Sequence, residues 1–323
     1  MPALDLTPVL KPVATVFAFT CFFVLCPMVI LAQVAPGVPL LEMAVSFLPQ
    51  IVLLSALAIV GLMAFRPRAA AMGGMLTAVA ALPFMTFSKF HTPNQIECAP
   101  GDCLTVITAN VFSQPDAMAA LGALAEQEQA DLVAINETSP KFYPQDFDEH
   151  FPTFDRLQAG TEPQARAGHP LALTMLSRSP VGQLRKITPD QTAGRGLMFA
   201  DLTGDWDGTR IVITHPLIPV SSSWTEARNT LLSVAGDTAV DAERFILMGD
   251  FNTTAWSATF RDLPGKRAGD PRFSATWPTF FPPMGISIDH ILASENFELV
   301  EFKVLDSVGS DHYPLMARFK LKN

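Results

Sequence analysis

The stretch Ile246-Leu247-Met248-Gly249-Asp250-Phe251-Asn252 is an apolar run that stops at a glycine and then delivers a carboxylate and a carboxamide. A run of this length bounded by a break reads as a buried strand, and polar side chains at the end of such a strand lie at the rim of a sheet, where ligands bind. Taken alone, Asp250-Phe251-Asn252 reads equally well as a turn. The rest of the chain decides, because the pattern returns. Leu104-Thr105-Val106-Ile107-Thr108-Ala109 ends at Asn110, Leu132-Val133-Ala134-Ile135 ends at Asn136-Glu137-Thr138, and Arg210-Ile211-Val212-Ile213-Thr214 arrives at His215. Ile286–Leu292 carries Asp289 and His290 on opposite faces, since side chains alternate along a strand. Ser310-Asp311-His312-Tyr313-Pro314 then precedes a closing strand at Leu315–Leu321.

Helical signals fall between these strands. Pro115–Gln127 is amphipathic with a proline in its first turn, and Ser223-Trp224-Thr225-Glu226 has capping-box spacing, opening a helix to about Ala235. Further strands are expected at Leu171–Leu176, at Leu197–Leu202 and at Phe297–Leu305. Strands alternating with helices over roughly 230 residues, from Thr92 to Asn323, predict one α/β domain.

The first 91 residues are of another kind. The 323-residue chain is 49% hydrophobic and only 16% charged, and the apolar excess lies at this end. Before Phe90 the charged side chains are Asp5, Lys11, Glu42, Arg66, Arg68 and Lys89. Between them run three apolar stretches, 13–34, 40–65 and 69–87, each near the ~20 residues that span a hydrocarbon core. Three transmembrane helices are predicted. A signal peptide would be one short apolar region with a cleavage site, and here two further stretches follow. Lys11 precedes the first span and Arg66 and Arg68 follow the second, so the positive-inside rule places the N-terminus in the cytoplasm and residues 92–323 outside it, in the periplasm of a cell with an inner membrane.

Cys98 and Cys103 flank a turn-rich stretch, Ala99-Pro100-Gly101-Asp102. A disulfide suits that spacing in an oxidising compartment; free thiols, or a metal site using His91, are the alternatives. After residue 94 there are 18 basic against 29 acidic side chains, a net charge of −11. Such a surface repels a phosphate backbone and disfavours long nucleic acid as the natural partner. A local basic rim around Arg166, Arg178, Arg185, Lys186 and Arg195 is still able to take one phosphate.

Carboxylates, carboxamides and imidazoles without thiolates suit a hard cation, Mg²⁺ or Mn²⁺. The chemistry that such a set supports is metal-assisted phosphoryl hydrolysis. On the motifs Thr108-Ala109-Asn110-Val111, Ile135-Asn136-Glu137-Thr138, Leu176-Ser177-Arg178-Ser179-Pro180, Thr214-His215, Gly249-Asp250-Phe251-Asn252, Ile288-Asp289-His290 and Ser310-Asp311-His312-Tyr313-Pro314, taken in this order, the chain resembles the endonuclease/exonuclease/phosphatase family of DNase I-like metal-dependent phosphoesterases. The resemblance implies a four-layered α/β/β/α sandwich after the three spans. It also implies Glu137 as principal metal ligand with Asn110 and Asp311 supporting it. Asp250 would orient or deprotonate the attacking water, Asn252 would hold the phosphate, and His312, oriented by Asp289, would contact a non-bridging oxygen; Arg178 reads as a scaffold salt-bridge partner or as a further substrate contact. His215 would be a second phosphate contact or the acid for the leaving group. One departure is visible: the family usually has Gln where Asn136 stands. Thr276-Trp277-Pro278 together with the spans is similar to extracytoplasmic members linked to teicoplanin resistance. Three spans beside an acidic domain favour a membrane-associated substrate, a phospholipid head group or a polyprenyl pyrophosphate, and that similarity points to the second; an extracytoplasmic nuclease and a silent membrane-tethered binding module are the alternatives.

Overall fold

The computed structural model describes residues 7–63, 65–94, 97–99, 101–138, 144–159 and 172–322. Two compact units form, Met1–Ser88 with Trp256–Ala258, and Lys89–Ala255 with Thr259–Asn323.

In the first unit, α1 (Thr7–Thr20), a π turn (Cys21–Leu25) and α2 (Cys26–Ala32) run on as one helix, of which Lys11–Ala32 is apolar and long enough to cross a bilayer. A second such helix is α5 (Pro67–Thr86). The stretch expected as a single span over 40–65 is instead two helices, α3 (Pro39–Ser46) and α4 (Leu48–Met63), meeting at 71°. Pro49 accounts for the break, since it has no N–H to donate and its ring excludes the carbonyl four residues back. Two helices are thus long and apolar enough to cross a membrane, and a third span results if the bent pair counts as one. Cys26 is a packing residue here, its sulfur 3.5 Å from Ser55 Oγ and 3.9 Å from Thr77 Oγ1.

The second unit holds two mixed sheets. One has seven strands in the order β1 (Phe90–His91), β10 (Lys266–Ala268), β11 (Asp289–Ala293), β9 (Arg244–Asp250), β8 (Thr209–Thr214), β7 (Leu197–Asp201) and β6 (Arg185–Ile187). The other has six, in the order β12 (Phe297–Val304), β13 (Leu315–Leu321), β2 (Cys103–Asn110), β3 (Leu132–Thr138), β5 (Ala172–Ser177) and β4 (Asp155–Ala159). Parallel pairs, β8 with β9 and β2 with β3, sit at the centre of each sheet.

Alternation divides each central strand between two cores. Val106, Leu132, Ile213, Met248 and Ile291 fill one cluster to which both sheets contribute. Ile107, Val133 and Ile135 face the other way, against Met118 and Leu121 of α6 (Pro115–Gln127) and Phe147 of α7 (Pro144–His150). On the seven-stranded sheet, α8 (Ser222–Val240) packs against β8 and β9. Its cap is Ser221, whose hydroxyl accepts from Trp224 N at 3.2 Å. The helix therefore starts one residue before Ser223 and runs five residues past the expected end. The last inner strand starts at Asp289, later than the Ile286 expected. Cys98 and Cys103 are joined by a disulfide, with Cα atoms 5.9 Å apart.

Candidate active site

The polar side chains are continuations of the apolar stripes that fill the space between the sheets. Along β2 the inward stripe Leu104, Val106 leads through Thr108 to Asn110; along β8, Ile211 and Ile213 lead to His215; along β9, Ile246 and Met248 lead to Asp250. Strand β11 runs antiparallel to β9 and pairs Asp289 directly with Asp250, so both carboxylates lie at the same edge. The site is thus the polar end of the hydrophobic core, and its side chains inherit the rigidity of strand packing.

Glu137 breaks the pattern. Strict alternation would send it to the α6 side with Val133 and Ile135, but its backbone is left-handed, with φ +58°. The pairing of β3 with β5 also slips between Ile135 and Thr138. A non-glycine residue held there is strained, and such strain persists where the surrounding structure over-determines it. The result turns the Glu137 carboxylate toward Asn110, whose amide nitrogen donates to Glu137 Oε1 and to Asp250 Oδ2, both at 3.1 Å. Asn252 is likewise left-handed, with φ +49°. Its N–H donates to Asp250 Oδ1 at 2.9 Å, its amide donates to Pro216 O, and its own carbonyl accepts from the buried Arg228. Gly249 has no alternative: a Cβ there would lie 2.1 Å from Thr214 O.

Two imidazoles flank Asp250. His215 Nε2 stands 3.4 Å from Glu137 Oε1 and 3.5 Å from Asp250 Oδ2. Its Nδ1 faces Arg195 Nη1 at 3.1 Å. A guanidinium only donates, so Nδ1 accepts and the ring proton sits on Nε2, aimed at the carboxylates. On the other side His312 Nδ1 lies 2.8 Å from Asp289 Oδ2, and its Nε2 is 3.9 Å from Asp250 Oδ2.

The charges sort themselves by partner. Burial opposes ionisation of Asp250, yet the hydrogen bond from His215 and the charge of His312 outweigh it and hold its carboxyl well below the usual carboxylate range. Burial also favours a neutral His312, but Asp289 overrides that and holds the imidazole up to about 10, as a cation. Asp289 is raised, first by burial and then, against His312, by the adjacent Asp250. Burial lowers Arg195 to about 10, with Glu137 and Asp250 pulling the other way.

Asp311 lies beside this group. Its Oδ2 accepts from Trp277 Nε1 at 3.0 Å, and Ser310 Oγ donates to Asn110 O at 2.7 Å, tying the loop to β2. Arg178 is not brought in. It follows β5 at Ser177, which pairs with Leu132 at the far end of β3 from Glu137, and it is bound to Glu126 and Thr153 and stacked on the Phe154 ring. Of the expected basic rim, Arg195 alone reaches the cluster among the described residues; Arg166 lies outside them. Sequence reasoning placed Arg195 only in that rim and missed its contact with His215. The flanking Gly196, where a Cβ would lie 2.5 Å from Ile187 O, was the available sign of a tightly held backbone. Trp277 was likewise read as a motif and not as a partner of Asp311.

Two groups, Glu137–His215–Asp250 and Asp250–Asp289–His312, bring their ligand atoms within 4.8 Å of one another and can hold a metal ion. The donors fit a divalent cation that prefers oxygen and nitrogen. Three further atoms point to a ligand that completes the site: Asp289 Oδ1 and both amide atoms of the buried Asn136 have no hydrogen-bond partner among the described residues, a rare condition for buried polar groups. Glu137 is the more open of the cluster carboxylates, at 16% against 3% for Asp250, so solvent reaches the cluster on that side.

No curated protein matches the sequence. Among solved structures, D. rerio TDP2 complexed with single strand DNA product is 17% identical, covers 68% of this chain and 99% of its own, and superposes with a TM-score of 0.55. The endonuclease/exonuclease/phosphatase from Beutenbergia cavernae is 17% identical over 69% of this chain and 72% of its own, with a TM-score of 0.53. A protein of unknown function from Enterococcus faecalis is 20% identical over 68% and 100%, with a TM-score of 0.54. At such identities the likeness is one of fold, the DNase I-like fold of two mixed sheets. The model of the Endonuclease/Exonuclease/phosphatase family matches residues 107–312, more than half of the chain and every cluster residue named above. The chain belongs to that family, whose members are metal-dependent hydrolases of phosphoester bonds.

Proposed function

We propose that the chain is a membrane-anchored, Mg²⁺-dependent phosphoesterase that hydrolyses an ester or anhydride of a membrane-associated phosphate, a phospholipid head group or a polyprenyl pyrophosphate. The observation that carries the reading is the cluster around Asp250 in a chain with apolar helices of 22 and 20 residues. Bound by Glu137, with Asp250 and the supporting Asn110 and Asp311 beside it, the cation supplies Lewis-acid stabilisation of charge developing on phosphate oxygens. Asp250, ionised and fixed by Asn110 and Asn252, orients the attacking water; a carboxylate held so low is a weak base but a firm acceptor. His312, a cation donating one N–H to Asp289, offers the other to a non-bridging oxygen. His215, with Arg195 on Nδ1, presents its Nε2 proton to a second phosphate oxygen or to the leaving group. The net charge of −11 after residue 94 argues against an extracytoplasmic nuclease.

The test is phosphate release by the full-length protein from polyprenyl pyrophosphate and from phospholipid, with and without Mg²⁺, beside nicking of plasmid DNA. Mg²⁺-dependent release from a lipid substrate is expected; nicking alone would overturn the proposal.

A further inference from the structure

The loop from Trp277 to Ile286 is closed at its base by a bridge between those two residues. Between them lies Pro278-Thr279-Phe280-Phe281-Pro282-Pro283-Met284-Gly285, with no charged side chain. Phe280 is 78% exposed, Phe281 51% and Met284 37%. A 3-10 turn over Pro282–Met284, with Met284 N donating to Phe281 O, fixes these side chains on a single tight excursion. Three large apolar side chains held out within five residues form the kind of patch that soluble surfaces avoid unless it meets something apolar.

The loop is bound to the active site. Thr279 N donates to Asp311 O and its hydroxyl to Ser310 O, while Trp277 Nε1 donates to Asp311 Oδ2. A second apolar lip follows His215: Ile218 and Val220 are exposed, and the adjoining Pro216 carbonyl accepts from Asn252. Exposed apolar side chains therefore adjoin two segments that contribute to the cluster.

We propose that the 279–284 loop docks into the interfacial region of a lipid bilayer and delivers a bilayer-borne phosphoester to the cluster. This rests on the reading that the apolar helices of the first unit lie in a membrane. Residues 87–89 alone join α5 to β1, a tether of at most roughly 11 Å at full extension, so a membrane that holds α5 is within reach of the domain without any ordering of a long linker. Electrostatics cannot supply adhesion, because a domain at −11 is repelled by anionic lipid. Apolar side chains can, since aromatic and aliphatic groups partition into the headgroup and acyl boundary without basic neighbours.

The test uses full-length protein in lipid nanodiscs, with Phe280→Cys labelled by an environment-sensitive fluorophore. Cys21 and Cys26 are buried and Cys98 and Cys103 are bridged, so the wild-type chain is the labelling control. Quenching by spin-labelled acyl chains, with protection from aqueous iodide, is expected. Quenching by iodide alone would overturn the proposal, and so would protection from both quenchers, the result of burial against a second copy. In parallel, the triple variant Phe280→Ser, Phe281→Ser, Met284→Ser is expected to lose at least tenfold on a phospholipid ester in vesicles while keeping its rate on water-soluble bis(p-nitrophenyl) phosphate. Equal loss on both would overturn it. If the wild type hydrolyses neither substrate, the phosphoesterase reading fails, and the quenching result still decides the docking.

Discussion

Asp289 and His290 are neighbours on β11 and face opposite sides of the same sheet. On the inner face, Asp289 receives His312 and the imidazole is a cation, its pKa held up to about 10. On the outer face, His290 is packed between the rings of Phe251 and Phe260, its Nδ1 accepts from Arg267 Nε at 2.9 Å, and its Nε2 meets Thr253 O at the same distance. Burial first, and then the Arg267 charge, push His290 well below the ordinary histidine value. Both rings are buried, so burial does not decide their charge. The sign of the partner does: a carboxylate makes a donor pair suited to phosphate oxygens, and a guanidinium makes a neutral element of the scaffold.

The sharpest way to break the comparison is at the centre of the inner face. Asp250→Asn keeps the volume and the strand but removes the carboxylate between the two imidazoles; turnover of a soluble phosphodiester is expected to fall on the order of 10³-fold or more, with near-UV circular dichroism unchanged. A loss under tenfold would remove Asp250 from the chemistry.

Asp289→Asn comes next, expected to cost about 10²-fold in kcat, because His312 loses its orienting charge. It carries a pH signature of its own. In the unfolded chain His312 deprotonates near 6.5 and in the folded site near 10, so between these values the native state binds more protons. Stability from the pair is complete below pH 6.5 and is lost as pH rises through about 10. Thermal unfolding between pH 7 and 10 should therefore fall more steeply for wild type than for Asp289→Asn; parallel curves would show that His312 is not held by Asp289.

On the outer face the expected effect moves from activity to stability. His290→Phe leaves Arg267 Nε and Thr253 O without their partner, and unpaired buried groups cost about 1–3 kcal/mol each. A lowered unfolding temperature with activity per folded molecule within about threefold is the outcome; a selective loss of kcat would place His290 in the catalytic machinery.

The two faces were not equally legible in the sequence. The core strands announced themselves by apolar runs ending in polar residues, and because every inward stripe continues by two residues into the site, Asn110, His215, Asp250 and Asp289 could be placed at one edge. The short strands β1, β4, β6 and β10 carry two to five residues and no periodicity, so they were invisible. Glu137 was found through its motif, although alternation alone would have pointed it the wrong way; its left-handed backbone leaves no trace in residue type. Arg195 was hidden for another reason: it precedes β7, and its guanidinium meets His215 Nδ1 through the register of the β7–β8 pair, which residue type does not set.

Arg178 gives the smallest expected effect and separates motif from site. Its motif leaves both a scaffold ion pair and a substrate contact open; Ser177 at its side pairs with the start of β3, and the guanidinium is spent on Glu126, Thr153 and Phe154. That ion pair is partly exposed, so its net contribution is about 1 kcal/mol or less. Arg178→Ala should lower the unfolding temperature slightly through lost stacking as much as lost charge, and should change kcat and KM less than about twofold. Glu137 lies five residues along β3 from Leu132, the partner of Ser177, and at roughly 3.3 Å per residue that is beyond the reach of an arginine side chain. A tenfold rise in KM would mean that substrate extends along the sheet to the far end of β3, and the site would then be a groove instead of a pocket at one edge.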